Sequence, residues 1–188
     1  PHRTKRAKFG LRSLLASLAS GVIIVALAPA LAQNGGAPFR VAETGQAFPT
    51  LKQAVEAVGD RDGTILIAPG RYNDCAVQTA GFITYRAQTA GQVMFDGGIC
   101  EGKAVLVLRG RGAKVDGIVF RGLTVADGNA AGIRLEKGPL TVTNSMFRDS
   151  EQGILTGDDE ANEIVIDRST FSGLGRCDRG LSCAHSIY

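Results

Sequence analysis

The chain has 188 residues, a hydrophobic content of 44% and a formal charge of +3, which excludes a disordered polymer and allows one folded domain with a short appendage. The positive charge does not point to nucleic acid. Arg3, Lys5, Arg6, Lys8 and Arg12 precede the first apolar run, and taking those five from the 21 basic residues leaves 16 against 18 acidic ones, with no later basic patch interleaved with aromatics.

In chain order, residues 1–32 read as an export signal. A basic start leads to an apolar stretch from Leu14 to Leu27, and Pro29 precedes Ala30-Leu31-Ala32, a small-x-small site that predicts cleavage after Ala32. The alternative is an uncleaved membrane anchor over Leu14–Leu31. Either way the rest of the chain is expected in the periplasm or outside the cell, an oxidising place where Cys75, Cys100, Cys177 and Cys183 are expected to form disulfides. Cys75 and Cys100 lie 25 positions apart, about one repeat, so adjacent stacked coils would bring them together. Cys177 and Cys183 would staple the loop between them. The absence of C-x-x-C argues against zinc.

Residues 33–47 read as a polar linker with a possible first edge strand at Phe39–Ala42. Leu51, Ala54, Val55 and Val58 then recur at helical spacing, with Thr50 placed to cap the start and Gly59 the end. This short helix is expected to cover the open end of an array that fills residues 48–188. Asp60–Gly63 reads as a plain turn, because a calcium loop would need a carboxylate where Arg71 stands. Strands are predicted at Thr64–Ala68, Phe82–Arg86, Gln92–Phe95 and Ala104–Leu108, separated by Gly-bearing turns.

Over Val115–Gly175 one pattern passes three times: Phe120-x-x-Leu123-x-Val125, Val142-x-x-Ser145-x-Phe147 and Ile166-x-x-Ser169-x-Phe171. Between the passes lie the matching strands Gly132–Leu135 and Gly153–Thr156. A period of this length, with apolar alternation broken by Gly, Asn and Asp, predicts a solenoid of strands, an all-β parallel β-helix. The pattern aligns Phe120, Val142 and Ile166 in one column, Val125, Phe147 and Phe171 in a second, and Ile133, Ile154 and Ile187 in a third. Leu123, Ser145 and Ser169 fall at bends. Ala184–Tyr188 reads as the start of a further strand, so the array is expected to continue past Tyr188.

Phe48-x-Thr50-Leu51-x-x-Ala54-Val55, followed by Gly63–Ala68, Pro69-Gly70-x-Tyr72 and later Val115-x-Gly117-Ile118-x-Phe120, resembles the secreted right-handed parallel β-helix proteins of the pectin lyase-like superfamily. The resemblance implies that fold, and a polysaccharide or cell-envelope glycan as partner. It leaves activity open among lyases, hydrolases, esterases and epimerases, with a non-catalytic structural or adhesive surface protein as the alternative.

Chemistry on such a solenoid would sit on outward side chains. The column beside Ile133, Ile154 and Ile187 holds Arg134, Leu155 and Tyr188, and one step further lie Glu136 and the Gly157-Asp158 corner. Arg109, Arg134 and Tyr188 are the candidate ligand contacts. Asp158, Asp159, Arg134, Glu136 and His185 are the candidate acid–base groups, since a groove of carboxylates, Arg and His can bind a glycan or move protons along it. Asp158, Asp159 and Glu160 together are a candidate Ca²⁺ set, and otherwise an acidic turn. Gly157-Asp158-Asp159 resembles the catalytic pair of polygalacturonases, but the companion Asn-Thr-Asp one coil earlier is missing. No cofactor other than Ca²⁺ is expected, as phosphate-loop, dinucleotide and nucleophile-elbow motifs are all absent.

Overall fold

The computed structural model describes residues 36–175 and 185–188. The proposed export segment and Cys177 and Cys183 lie outside these residues. Three parallel sheets make up the described chain. The first contains β3 (Asp62–Ile67), β6 (Phe82–Ala87), β9 (Gly112–Asp116), β12 (Leu140–Thr143) and β15 (Ile164–Asp167), stacked in that order. The second contains β4 (Gly70–Tyr72), β7 (Val93–Asp96), β10 (Ile118–Arg121), β13 (Met146–Ser150) and β16 (Thr170–Leu174). The third contains β5 (Ala76–Gln78), β8 (Ala104–Leu108), β11 (Ala131–Leu135) and β14 (Gln152–Thr156), and a single parallel bridge sets Ile187 beside Ile154. Each coil visits the three sheets in turn, and the next coil pairs with it in register. This is a β-solenoid.

The first coil's edge is closed by three devices. β1 (Phe39–Val41) pairs antiparallel with β3, and β2 (Ala47–Phe48) pairs with β1. The Glu43 carboxylate accepts from the Thr64 N–H at 2.9 and 3.0 Å. The helix α1 (Leu51–Val58) buries Leu51, Ala54, Val55 and Val58, the four residues its spacing singles out. Thr50 Oγ1 accepts from the Gln53 N–H at 3.3 Å, and Gly59 ends the helix at φ +66°. An unpaired strand edge would recruit other chains, so such cover belongs at this end.

Inside, Ile65, Tyr85, Val115, Val142 and Ile166 form one column along the first sheet. Tyr72, Phe95, Phe120, Phe147 and Phe171 form another along the second, with ring centroids of successive pairs 5.6, 6.0, 4.9 and 4.8 Å apart. Ala76, Leu106, Ile133, Ile154 and Ile187 form the third.

The third column is the one read from sequence, but the other two are not. Phe120 stands beside Phe147 rather than Val142, and Val125 lies outside the ladder. The cause is the corner between the first and second sheets. Gly117, Asn144 and Arg168 occupy it in successive coils, all at positive φ (+76°, +50° and +44°). The equivalent run in the third coil is therefore Val115-x-x-Ile118-x-Phe120, and the Phe120-x-x-Leu123-x-Val125 alignment is displaced from it by one apolar step. Ser145 and Ser169 do bond stacked backbones: Ser145 Oγ accepts from the Ile118 N–H and Ser169 Oγ from the Ser145 N–H, each at 3.2 Å. Leu123 belongs elsewhere, at the level of Ser150, whose Oγ accepts its N–H.

A polar pair is buried within this core. Tyr85 Oη donates to Gln78 Oε1 at 3.1 Å, and the Gln78 amide donates to the Gly81 and Gly112 carbonyls. Burial pushes the Tyr85 phenol well above its ordinary range, so it stays a neutral donor. Cys75 and Cys100 are disulfide-bonded with Cα atoms 5.6 Å apart, as their spacing of one repeat predicts.

Candidate functional site

The outer side of the third sheet differs from an ordinary solvated strand face. Alternation lapses in β8, β11 and β14, so that two consecutive residues point inward. Val105 and Leu106 both belong to the main core, while Ala104 and Val107 lie with Ala131 and Leu155 in a separate buried apolar patch. In the next two coils the first inward position is Gly132 or Gly153. A Cβ on Gly132 would lie 2.7 Å from the Phe147 ring, and one on Gly153 would lie 2.9 Å from the Phe171 ring and closer still to the Ser186 carbonyl oxygen. The glycines are there because the aromatic ladder fills that space. The resulting outward column runs Val77, Val107, Arg134, Leu155, with Tyr188 next in line beyond Leu155. Five coils at a strand spacing of ~4.8 Å give a face of roughly 19 Å.

Four charged groups cross the middle of this face. Arg109 donates from Nε to Glu136 and from both Nη atoms to Glu101, the Nη1 bond being 3.0 Å. Lys103 Nζ donates to Glu136 at 2.6 Å and lies 3.5 Å from Glu101. The Arg109 guanidinium holds both carboxylates below their usual range, Glu136 down to about 2. Glu136 is thus a fixed anion at any physiological pH and has no proton to donate. Arg109 and Glu136 come together as expected, but bound to each other.

Two depressions flank this network. One, of about 430 Å³, lies against α1 and is lined by Lys52, Val77, Cys100, Glu101 and Arg109 among others. The other, of about 290 Å³, is lined by Gly102, Lys103, Asp127, Asn129, Arg134, Leu155, Thr156 and Tyr188. Here the sequence-predicted Arg134 and Tyr188 do meet. Arg134 has no hydrogen bond or ion pair among the described residues, and its Nε is buried without a partner. His185 stacks on Tyr188 with ring centroids 4.8 Å apart, and Tyr188 is 70% exposed.

The acidic run falls away from the cleft lining. Gly157 continues from β14, and its N–H donates to the Leu135 carbonyl. Asp159 Oδ1 accepts from the Ala161 N–H at 2.9 Å, the geometry of a turn. Asp158 and Glu160 are exposed. Among the described residues no three His, Cys, Asp or Glu side chains are grouped to hold a metal ion, so this donor set does not fit the Ca²⁺ expectation.

Sequence reasoning did not single out Lys103, Asp127, Asn129 or Thr156. All but Thr156 stand in or at the ends of Gly-bearing excursions, 97–103 and 122–130, that precede strands of the third sheet. The unequal coil lengths of the repeat were the available signal. Comparisons with protein-family models, with curated proteins and with solved structures found no match for this chain.

Proposed function

We propose that this is an exported protein of the right-handed, pectin lyase-like kind that binds a polysaccharide strand along the outer face of its third sheet. Right-handedness is the expectation for parallel strands joined by crossovers. The observation that carries the ligand reading is Arg134: a guanidinium without a described partner, in the centre of the outward column, beside Lys103 and an exposed Tyr188. An aromatic ring offers an apolar platform, a free guanidinium forks onto carboxylate or hydroxyl oxygens, and Asn129 and Thr156 supply further hydrogen bonds. Binding is favoured over cleavage because Glu136 is neutralised by Arg109 and Lys103, and Asp159 is occupied in its turn.

The test is titration of the full chain with oligogalacturonate and with a neutral cello-oligosaccharide. Arg134→Ala removes a charged hydrogen-bond donor of ~1.5–3 kcal/mol, a loss of roughly 10- to 100-fold in affinity. Wild-type protein that binds neither sugar, or binding that Arg134→Ala leaves unchanged, would sink the reading.

A further inference from the structure

The two walls of the 290 Å³ cleft depend on buried residues that do not line it, besides the bonds of the lining itself, Asn129 N–H to Asp127 Oδ1 and Thr156 N–H to the Tyr188 carbonyl. One wall is the excursion 122–130, which contributes Asp127 and Asn129 and separates β10 from β11 by nine residues. The other is the segment 185–188, which contributes Tyr188 and its stacking partner His185. In the neighbouring coil the same corner is a single residue, Glu151, between β13 and β14. The long excursion therefore rests on a coil that has no excursion of its own.

Glu151 and Gln152 are 3% and 4% exposed, a buried consecutive carboxylate and amide. Glu151 Oε2 accepts from the Val125 N–H at 3.0 Å, in the first half of the excursion, and from the Ala130 N–H at 3.1 Å, at its end. The Gln152 amide donates from Nε2 to the Gly128 carbonyl at 3.3 Å, between Asp127 and Asn129. Its Oε1 accepts from the His185 N–H at 2.7 Å. One side chain thus ties both walls together. Backbone contacts add to this, with the Glu151 N–H donating to the Leu123 carbonyl and the Gln152 N–H to the Ala130 carbonyl. A loop's backbone polar groups need partners when buried: Glu151 accepts from two of its N–H groups, and Gln152 donates to one of its carbonyls.

We propose that Glu151 and Gln152 are positioning residues of the ligand cleft, fixing Asp127 and Asn129 on one side and, on the other, His185, on whose ring Tyr188 stacks, without touching the ligand. The proposal rests on the polysaccharide reading above for the cleft's role, and on the hydrogen bonds alone for the positioning. A Gln at 151 keeps an oxygen that accepts both N–H groups. An Ala keeps none and leaves the buried Ala130 N–H and the part-buried Val125 N–H without their acceptor.

The experiment is amide hydrogen exchange on the full chain together with oligogalacturonate titration, for wild type, Glu151→Ala, Glu151→Gln, Gln152→Ala and the pair Glu151→Ala/Asn129→Ala. Glu151→Ala is expected to raise exchange at 124–130 at least tenfold while amides of the second sheet hold, and to weaken binding about tenfold. Gln152→Ala raises exchange at 185–188 as well. Glu151→Gln stays within threefold of wild type on both measures. Asn129→Ala costs affinity in the wild-type background and nothing further beside Glu151→Ala, a coupling that a merely structural role would not produce. Should Glu151→Ala fail to fold, Gln152→Glu serves instead: it keeps the acceptor for His185, loses the donor to Gly128, and loosens the excursion alone. Unchanged exchange in Glu151→Ala, or equal loss of binding in Glu151→Ala and Glu151→Gln, overturns the positioning. If wild type binds no sugar while exchange responds as stated, the polysaccharide reading has failed and the clamp stands.

Discussion

The register of the aromatic ladder is open to a direct energetic test, because the sequence pattern and the structure give Phe120 different neighbours. In the structure Phe120 packs between Phe95 at 6.0 Å and Phe147 at 4.9 Å, with ring planes within 18° of parallel in both pairs. Phe120→Leu and Phe147→Leu each remove one ring while keeping an apolar side chain, so cavity terms stay small. Aromatic pairs contribute ~0.5–1.5 kcal/mol beyond the area they bury. The double variant should therefore be more stable than the sum of the single changes predicts, by about that amount. Phe95 and Phe147 are two coils apart with Phe120 between them, so Phe95→Leu and Phe147→Leu should add to within about 0.5 kcal/mol. The assay is urea unfolding followed by circular dichroism, comparing free energies only where the m-value is unchanged. A coupling between Phe120 and Phe147 no larger than that between Phe95 and Phe147 would refute the register. The deletion Phe120→Ala is a coarser check: a ring fully buried in the middle of the stack should cost ~3–5 kcal/mol.

Three further outcomes are expected. Breaking the Cys75–Cys100 bond with Cys75→Ser/Cys100→Ser releases a loop of 25 positions, and the chain-entropy relation gives a loss of about 3.5 kcal/mol, read as a lower urea midpoint. An unchanged midpoint would contradict it. Glu136 is depressed in the folded state from near 4.5 to about 2, so its contribution is complete above pH 4.5 and is lost as pH falls towards 2. After allowance for solvent screening the contribution is ~1–2 kcal/mol, and Glu136→Gln should flatten that acid limb in thermal melts, whereas an identical limb would show the network idle. Gly132→Ala places a Cβ against the Phe147 ring and should cost ~1–3 kcal/mol by overpacking, while the same change at Gly157, where a Cβ would meet nothing closer than 3.6 Å, is expected to have a much smaller effect, each measured by its melting temperature.

Much of the solenoid is legible in the residues themselves. The helix Leu51–Val58 needs only its apolar spacing, a hydroxyl at Thr50 and a glycine at 59, all local. Ala104–Leu108 is a short apolar run between Gly-bearing turns, and the strand falls at the predicted bounds. The Cys75–Cys100 pairing follows from one coil's length. For the candidate site, Arg134 and Tyr188 could be named together because Ile133, Ile154 and Ile187 do share a column.

The sequence by itself determined most of the strands, the capping helix, and that the strands stack as coils, because alternation and turn residues act over a few positions; the short strands Gly70–Tyr72 and Ala76–Gln78 carry too few residues to show alternation and were not legible. Tertiary structure alone decided the phase between the coils and what the outward charges do. Coil length varies from 20 residues, Ile65 to Tyr85, to 30, Tyr85 to Val115, so a repeated apolar pair fits more than one register. The corner at Gly117, Asn144 and Arg168 selects among them, since the backbone turns there at positive φ in three successive coils and fixes where the second-sheet strand begins. The partners of Arg109, Glu136 and Glu151 are equally non-local, 21 to 33 positions away in the bonds that hold them across coils. Spacing along a chain carries no record of which charge an excursion will fold against.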